Sequence, residues 1–245
     1  MKKIAAFFDI DGTLYREGLI AELFKKMVTA EIINNERWYN EVRPEYQKYD
    51  KRQGNYDNYL LKMAEIYIQE IKGLHRSQIE FIAKIVVEQK GDRVYRFTRD
   101  QIKWHKENGH KLITISGGPI ELVREMAQKH GFDDFRAATY EIDENGLYTG
   151  VVTPMWDSES KKGAIAEFVE KYDIDLSKSY SYGDTTGDYA MFDAVGYPVC
   201  VNPTRELLCK VLQNSELKDK VRLIVERKDM IYDLKPENIC LDIER

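Results

Sequence analysis

The sequence predicts an α/β fold: a three-layer core around a mostly parallel sheet, interrupted after its first strand by an all-helical insertion. Three observations predict it. Short apolar runs at residues 4–8, 111–115, 179–182 and 198–201 read as buried strands, and helical patterns alternate with them from the second run onward, as a parallel sheet requires. Between the first two runs, residues 19–94 carry apolar side chains at three- and four-residue steps and show no clear buried strand. The length, 245 residues, suffices for one large core domain carrying an insertion.

Taken in order, the first strand stops at Asp9-Ile10-Asp11-Gly12-Thr13, where two carboxylates and a glycine end the apolar pattern. In the insertion, Tyr56, Tyr59, Leu60, Met63, Tyr67 and Ile71 mark one helix face, and Ile79, Ile82, Ala83, Val86 and Val87 mark another. The run 111–115 ends in Ser116-Gly117-Gly118-Pro119, where the prolyl ring suits the first turn of a following helix. Residues 141–143 and 147–152 flank Glu144-Asn145-Gly146, and Asn-Gly signals a hairpin. Ala164, Ile165, Phe168, Val169 and Tyr172 outline a helix that starts near Ser158 or Ser160. The strand 179–182 ends at Gly183-Asp184, a helix runs on through Met191, and the strand 198–201 follows. Beyond about residue 216 the chain is heavily charged and lacks glycine, and its pattern assigns it no element.

Composition narrows the function classes. Lys and Arg number 37 against 42 Asp and Glu, a formal net charge of −5, which argues against a nucleic-acid duplex as partner. With 43% apolar and 11% aromatic residues the chain is not a disordered polymer, and no apolar run reaches membrane-spanning length. The start, MKKIAAFFDID, is too short in apolar residues for a signal-peptide core, so a cytoplasmic location is expected. Cys200, Cys209 and Cys240 form no C-x-x-C, so neither a disulfide framework nor a zinc ribbon is indicated. His75, His105, His110 and His130 share no motif and read as surface or structural residues.

Ligands of open parallel sheets gather at the carboxyl ends of the strands. Three polar clusters fall there, Asp9/Asp11, Ser116-Gly117-Gly118 and Asp184/Asp188, and Lys161-Lys162-Gly163 lies near the start of a helix. Taken alone, Asp9 and Asp11 also fit a solvated turn. A calcium loop fits less well, because Thr13 and Leu14 break its register and a strand precedes it. Ser116 could be a plain turn residue or a serine-hydrolase nucleophile, but Thr114 stands where Gly-x-Ser-x-Gly needs its first glycine. Asp188 follows Asp184 by one helical turn, so both can face one ligand, and either could be a helix cap.

Together, Asp9-Ile10-Asp11-Gly12-Thr13-Leu14, Ser116 after a strand, Lys162-Gly163 and Gly183-Asp184-Thr185-Thr186-Gly187-Asp188 resemble the four motifs of the haloacid dehalogenase superfamily of phosphatases. The insertion resembles the helical C1 cap of the phosphoserine-phosphatase-like branch, subfamily IB, and residues 194–203 (AVGYPVCVNP) are similar to that branch too. The resemblance implies a Rossmann-like catalytic core at residues 1–14 and 98–245, with a cap at 15–97 hinged through residues 15–18 and 93–98. It implies Mg²⁺-dependent hydrolysis of a small phosphorylated metabolite, with Asp9 as nucleophile in an aspartyl-phosphate pathway and Asp11 as general acid and base. Ser116, Gly117 and Lys162 would bind the phosphoryl group, with Lys161 as the alternative lysine; Gly163 matches the pattern better from Lys162. Metal ligands would be Asp9, the Asp11 main-chain carbonyl and Asp184, with Asp188 in support or acting through water.

For the substrate, phosphoserine is the best named member of a broad class. The position nine residues beyond the nucleophile, glutamate in phosphoserine phosphatases, is Gly18 here, so Glu17 is the candidate specificity residue, with Arg37, Arg43 or Arg52 for a carboxylate. Trp38, Tyr39, Tyr46, Tyr49, Tyr56 and Tyr59 read as cap core or interface. They could instead form an aromatic wall for a phosphocholine- or phosphoethanolamine-type headgroup. A phosphotransferase and a non-catalytic phosphometabolite-binding protein are the rival functions.

Overall fold

A computed structural model describes residues 2–54 and 56–239; Cys240 lies outside the described residues. An eight-stranded sheet runs through the molecule in the order β4-β3-β2-β1-β5-β6-β7-β8. Its strands are β1 (Ala5–Phe8), β2 (Lys111–Pro119), β3 (Asp134–Ile142), β4 (Tyr148–Thr153), β5 (Tyr180–Gly183), β6 (Tyr197–Val201), β7 (Arg222–Arg227) and β8 (Met230–Leu234). Pairing is parallel from β3 across to β7, and antiparallel hairpins finish both edges, β3 with β4 and β7 with β8. The architecture is α/β with a helical insert between β1 and β2.

β1 lies at the centre, and its alternating side chains feed both faces. Ala6 and Phe8 join the larger apolar cluster, whereas Ala5 and Phe7 pack with Ala164, Ile165 and Phe168 on the opposite side. Phe8 stacks on Tyr182 with ring centroids 4.1 Å apart. His105 is fully buried beside this pair, bonded to the Tyr182 hydroxyl at 2.9 Å and to His110 at 2.8 Å. Burial, helped by the neighbouring His110, lowers its pKa to about 3, so it is a neutral structural residue.

The insertion comprises α1 (Leu19–Thr29), α2 (Asn35–Arg37), a π turn into α3 (Arg43–Asp50), α4 (Tyr56–Ile71) and α5 (Arg76–Lys90). Chain entry and exit lie side by side: Arg16 N–H donates to the Arg93 carbonyl at 3.1 Å, and Tyr95 N–H to the Leu14 carbonyl at 2.9 Å. After α6 (Arg96–Glu107), β2 leads into α7 (Ile120–His130). Leu23, Phe24, Met63, Ile66, Tyr67, Ile79 and Ala83 of the insertion share one apolar cluster with Leu122, Met126, Tyr140 and Tyr148.

Helices α8 (Ser158–Tyr172), α9 (Tyr189–Ala194), α10 (Arg205–Gln213) and α11 (Ser215–Lys220) complete the layers. Three segments differ from expectation, and the first is β3, which begins at Asp134 where only residues 141–143 were expected as a strand. The second strand runs on to Pro119, its pairing with β3 shifting register after Ile115, and Pro119 stands at the N-cap of α7, outside the first turn. The charged segment beyond residue 216 forms α11 and the β7–β8 hairpin. Its turn is made by Lys228 at φ 56°, a conformation that glycine usually marks.

That hairpin also caps a helix. The Glu226 carboxylate accepts the free N–H groups of Arg96 at 3.0 Å and Phe97 at 2.8 Å, at the start of α6. Replacing it by alanine, E226A, is expected to cost about 1 kcal/mol of unfolding free energy in urea titrations, the ordinary scale for a lost cap.

Candidate active site

Asp9 follows β1, Ser116 and Gly117 lie in the final part of β2, and Asp184 follows β5. β1 is hydrogen-bonded to both β2 and β5, so the topology alone brings these residues to one edge. Asp9 N–H donates to the Tyr182 carbonyl at 3.0 Å, which continues the β1–β5 pairing to the carboxylate. The turn after it needs glycine twice over. Gly12 has φ +81°, and a Cβ there would stand 2.0 Å from Asp184 Oδ2. Thr13 Oγ1 donates to Asp184 Oδ1 at 2.9 Å, holding that carboxylate against the first motif.

The lysine that the fold brings to Asp9 is Lys161, the alternative to the expected Lys162. Lys161 Nζ is buried 2.8 Å from Asp9 Oδ1 and also donates to Asp188 Oδ1, while Lys162 is exposed. The helix decides between them. Asp157 caps α8 by accepting from Ser160 N–H at 2.8 Å, and the buried stripe of that helix is Lys161, Ala164, Ile165 and Phe168. Lys162 sits one residue, about 100°, out of that phase. Asp188 spends its other oxygen on the N–H groups of Asp184 at 2.9 Å and Thr185 at 3.0 Å.

Carboxylate oxygens of Asp9, Asp184 and Asp188 lie within 4.8 Å of one another, all buried, with Lys161 as their cation. Burial raises the Asp9 pKa to about 7, with Lys161 opposing the shift and Asp188 adding to it. Asp184 is raised well above the ordinary value by burial and then by Asp188 and Asp9. Burial would depress the Lys161 ammonium, but Asp188 and Asp9 outweigh it and hold its pKa above the ordinary value. Three clustered carboxylates against one ammonium are an excess of hard anionic donors, which fits a divalent metal site.

Asp11 is partly exposed, and its Oδ1 accepts the Leu19 N–H of α1 at 2.8 Å. Burial raises its pKa to about 6, the Leu19 bond pulling the other way. Ser116 is buried, and its Oγ accepts Gly118 N–H at 3.3 Å. Asp9, Asp11, Ser116, Gly117 and Lys161 line one cavity of about 250 Å³, closed on the insertion side by Ile20, Leu60, Leu61 and Ala64.

The proposed specificity residues do not join this cavity. Glu17 is largely exposed, 3.3 Å from Arg93. Arg37 is taken by Glu41 at 2.7 Å and Glu70 at 2.6 Å, while Arg43 and Arg52 lie over Tyr39 and Tyr49. Trp38, Tyr46, Tyr49, Tyr56 and Tyr59 line a second cavity of about 690 Å³ with Gly12, Arg16, Glu17 and Asp184; Tyr39 does not line it. Sequence reasoning missed the aliphatic wall and the Asp11–Leu19 bond. It also missed Trp156 at the mouth, which no motif marks.

Two outcomes follow from this electrostatic arrangement. Replacing Lys161 by alanine leaves Asp9 and Asp188 buried without their cation, so K161A should lose about 3–5 kcal/mol of stability. K162A should stay within about 0.5 kcal/mol of wild type in the same denaturation experiment. Because Asp9, Asp11 and Asp184 have raised proton affinities, these three groups bind more protons in the folded chain than in the unfolded chain from the ordinary carboxylate range to about pH 7, while His105, His110 and His130, lowered by burial, work in the opposite sense below about pH 6.5. The carboxylates' contribution to stability therefore falls as pH rises through that window. Without divalent cation, Tm should be higher near pH 5 than near pH 8, and added Mg²⁺ should raise it more at the higher pH; a cation-free Tm that climbs across that range would contradict the arrangement.

The haloacid dehalogenase-like hydrolase family matches residues 6–193. A protein of Streptomyces azureus described as inhibiting morphological differentiation is 25% identical over 84% of this chain and 74% of its own length. A probable phosphatase of Mycobacterium tuberculosis is 34% identical over 46% of this chain, a match spanning 39% of that relative. The phosphoserine phosphatase SerB1 of Mycobacterium tuberculosis is 25% identical over 83% of this chain and 66% of its own length. Among solved structures, a Bordetella pertussis protein of unknown function superposes with a TM-score of 0.69 at 18% identity, covering 87% of this chain and 96% of that one. A substrate-bound phosphoserine phosphatase superposes at 0.59 with 21% identity, covering 94% and 95%, a likeness of fold. Among the described residues no helix is long and apolar enough to cross a membrane. With its family match spanning the first motif through the Asp184 loop, this chain belongs to the haloacid dehalogenase-like hydrolases.

Proposed function

We propose that the chain is a phosphatase that hydrolyses a small phosphomonoester through an aspartyl-phosphate on Asp9. One observation carries the reading: the buried Asp9 carboxylate lies 2.8 Å from the Lys161 ammonium, in the cavity that also holds Asp11, Ser116 and Gly117. A carboxylate attacking a phosphate dianion meets repulsion that fixed positive charge must offset. Lys161 supplies one such charge and also holds Asp9 in place. Asp9, Asp184 and the Asp11 main-chain carbonyl would hold Mg²⁺, with Asp188 in support, and the bound ion would supply the remaining positive charge. Residues 15–97 would act as the cap and residues 1–14 and 98–245 as the catalytic core.

In the first half-reaction Asp9 attacks phosphorus, and Asp11 protonates the departing alkoxide; Ser116 Oγ–H and Gly117 N–H receive the phosphoryl oxygens. In the second, Asp11, now ionised, takes a proton from the water that cleaves the acyl phosphate and releases Asp9. The pKa of about 6 supports both roles, since a group that titrates near neutrality can give a proton and take it back.

The deciding experiment is phosphate release from 4-nitrophenyl phosphate with Mg²⁺, followed by EDTA. Chelator-sensitive turnover is expected. Asp9→Asn should keep the fold and lose at least about a thousandfold in kcat, because an amide is a poor nucleophile. Near-native kcat in purified D9N would remove Asp9 from the nucleophile's role.

A further inference from the structure

The cavity around Asp9 has two unlike halves. Its core half is polar, with Ser116, Gly117, Lys161 and Thr185 to Gly187, and its insertion half is Ile20, Leu60, Leu61 and Ala64. The charged side chains lining it are Asp9, Asp11 and Lys161, all within the machinery described above. Leu60 closes over Gly18 so tightly that a Cβ at Gly18 would stand 2.9 Å from Leu60 Cδ2. The apolar character continues outward, with Leu61 55% exposed on one side of the mouth and Trp156 39% exposed on the other.

An ester whose phosphate rests on Ser116 and Lys161 begins its leaving group in this cavity. The aromatic cavity lined by Trp38, Tyr46 and Tyr59 includes neither of those residues. We infer that the leaving group is an uncharged apolar alcohol, so that the substrate class is alkyl or aryl phosphomonoesters and excludes amino-alcohol and amino-acid phosphates. An ammonium or carboxylate set against Ile20, Leu60 and Ala64 would lose its hydration and gain no partner. Each methylene buried there should instead gain about fourfold in affinity at full burial. This inference rests on the phosphatase reading for its chemistry, but ligand binding tests it separately.

The test is calorimetric binding of non-hydrolysable phosphonates to the full chain with Mg²⁺, beside turnover of 4-nitrophenyl phosphate. Affinity should rise threefold to fourfold per methylene from ethyl- through butylphosphonate, and propylphosphonate should bind at least about tenfold more tightly than 2-aminoethylphosphonate, its close isostere. L61E, a change at an exposed position, should flatten that chain-length series. Equal or tighter binding of 2-aminoethylphosphonate, or affinity independent of chain length, overturns the inference. Chain-length-dependent binding without any turnover would sink hydrolysis and support the ligand class; turnover with the charged phosphonate preferred would sink the ligand class alone.

Discussion

The ammonium of Lys161, buried between Asp9 and Asp188, is the interaction on which the site's geometry depends. It joins three separate pieces of chain: the end of β1, the first turn of α8 and the loop after β5. Three charges removed from water are costly, and only close pairing with further hydrogen bonds offsets that cost. The further bonds are present. Asp188 accepts two N–H groups of its own loop, and that loop's Asp184 is in turn held by Thr13 from the first motif. Lys161 bridges two carboxylates, and the loop that carries Asp188 is held to the first motif through Asp184 and Thr13.

How far this was legible in the sequence varies with the physics of each feature. β1, β2, β4, β5 and β6 were legible because their runs are short and apolar, whereas β3 was legible only at its end, residues 141–143; the Asn145-Gly146 turn was legible because Gly146 takes a left-handed φ of +77°. The β7–β8 hairpin was not. Its turn is made by Lys228 without glycine, and its strands carry outward charge, Arg222 of β7 meeting Asp233 of the edge strand β8 at 2.6 Å. The lysine was within reach. Lys161 is three, four and seven residues before Ala164, Ile165 and Phe168, and the phase of those apolar residues separates it from Lys162. Motif spacing pointed one way and helical phase the other, and burial followed phase.

The insertion shows what periodicity leaves open. Leu60 and Met63 belong to the same apolar pattern, yet Met63 is fully buried while Leu60 and Leu61 border the Asp9 cavity. Apolar spacing reports that a face is withdrawn from water; it carries no information on whether the neighbour is protein or ligand. The same limit applies to the tyrosines, where Tyr59 is buried but also lines the aromatic cavity. The candidate site residues were easier to find because the proposed chemistry restricts them to particular types at strand ends.

Helix α4 has unequal ends. Its C-terminal half is fastened to the sheet: the ring of Tyr67 meets Tyr140 edge-on at 5.2 Å, Tyr140 meets Tyr148, and the Tyr148 hydroxyl donates to the buried Glu121 at 2.8 Å. Its N-terminal half carries Leu60 and Leu61 over the cavity. That half is held in turn by the insertion: Tyr56 and Tyr59 meet Tyr49 and Tyr46 with ring centroids 4.9 and 5.3 Å apart, and Leu60 packs against the shared apolar cluster. A helix fastened at both ends is a tie-beam between the insertion and the sheet. A lid swinging on residues 15–18 and 93–98 would first have to part that cluster.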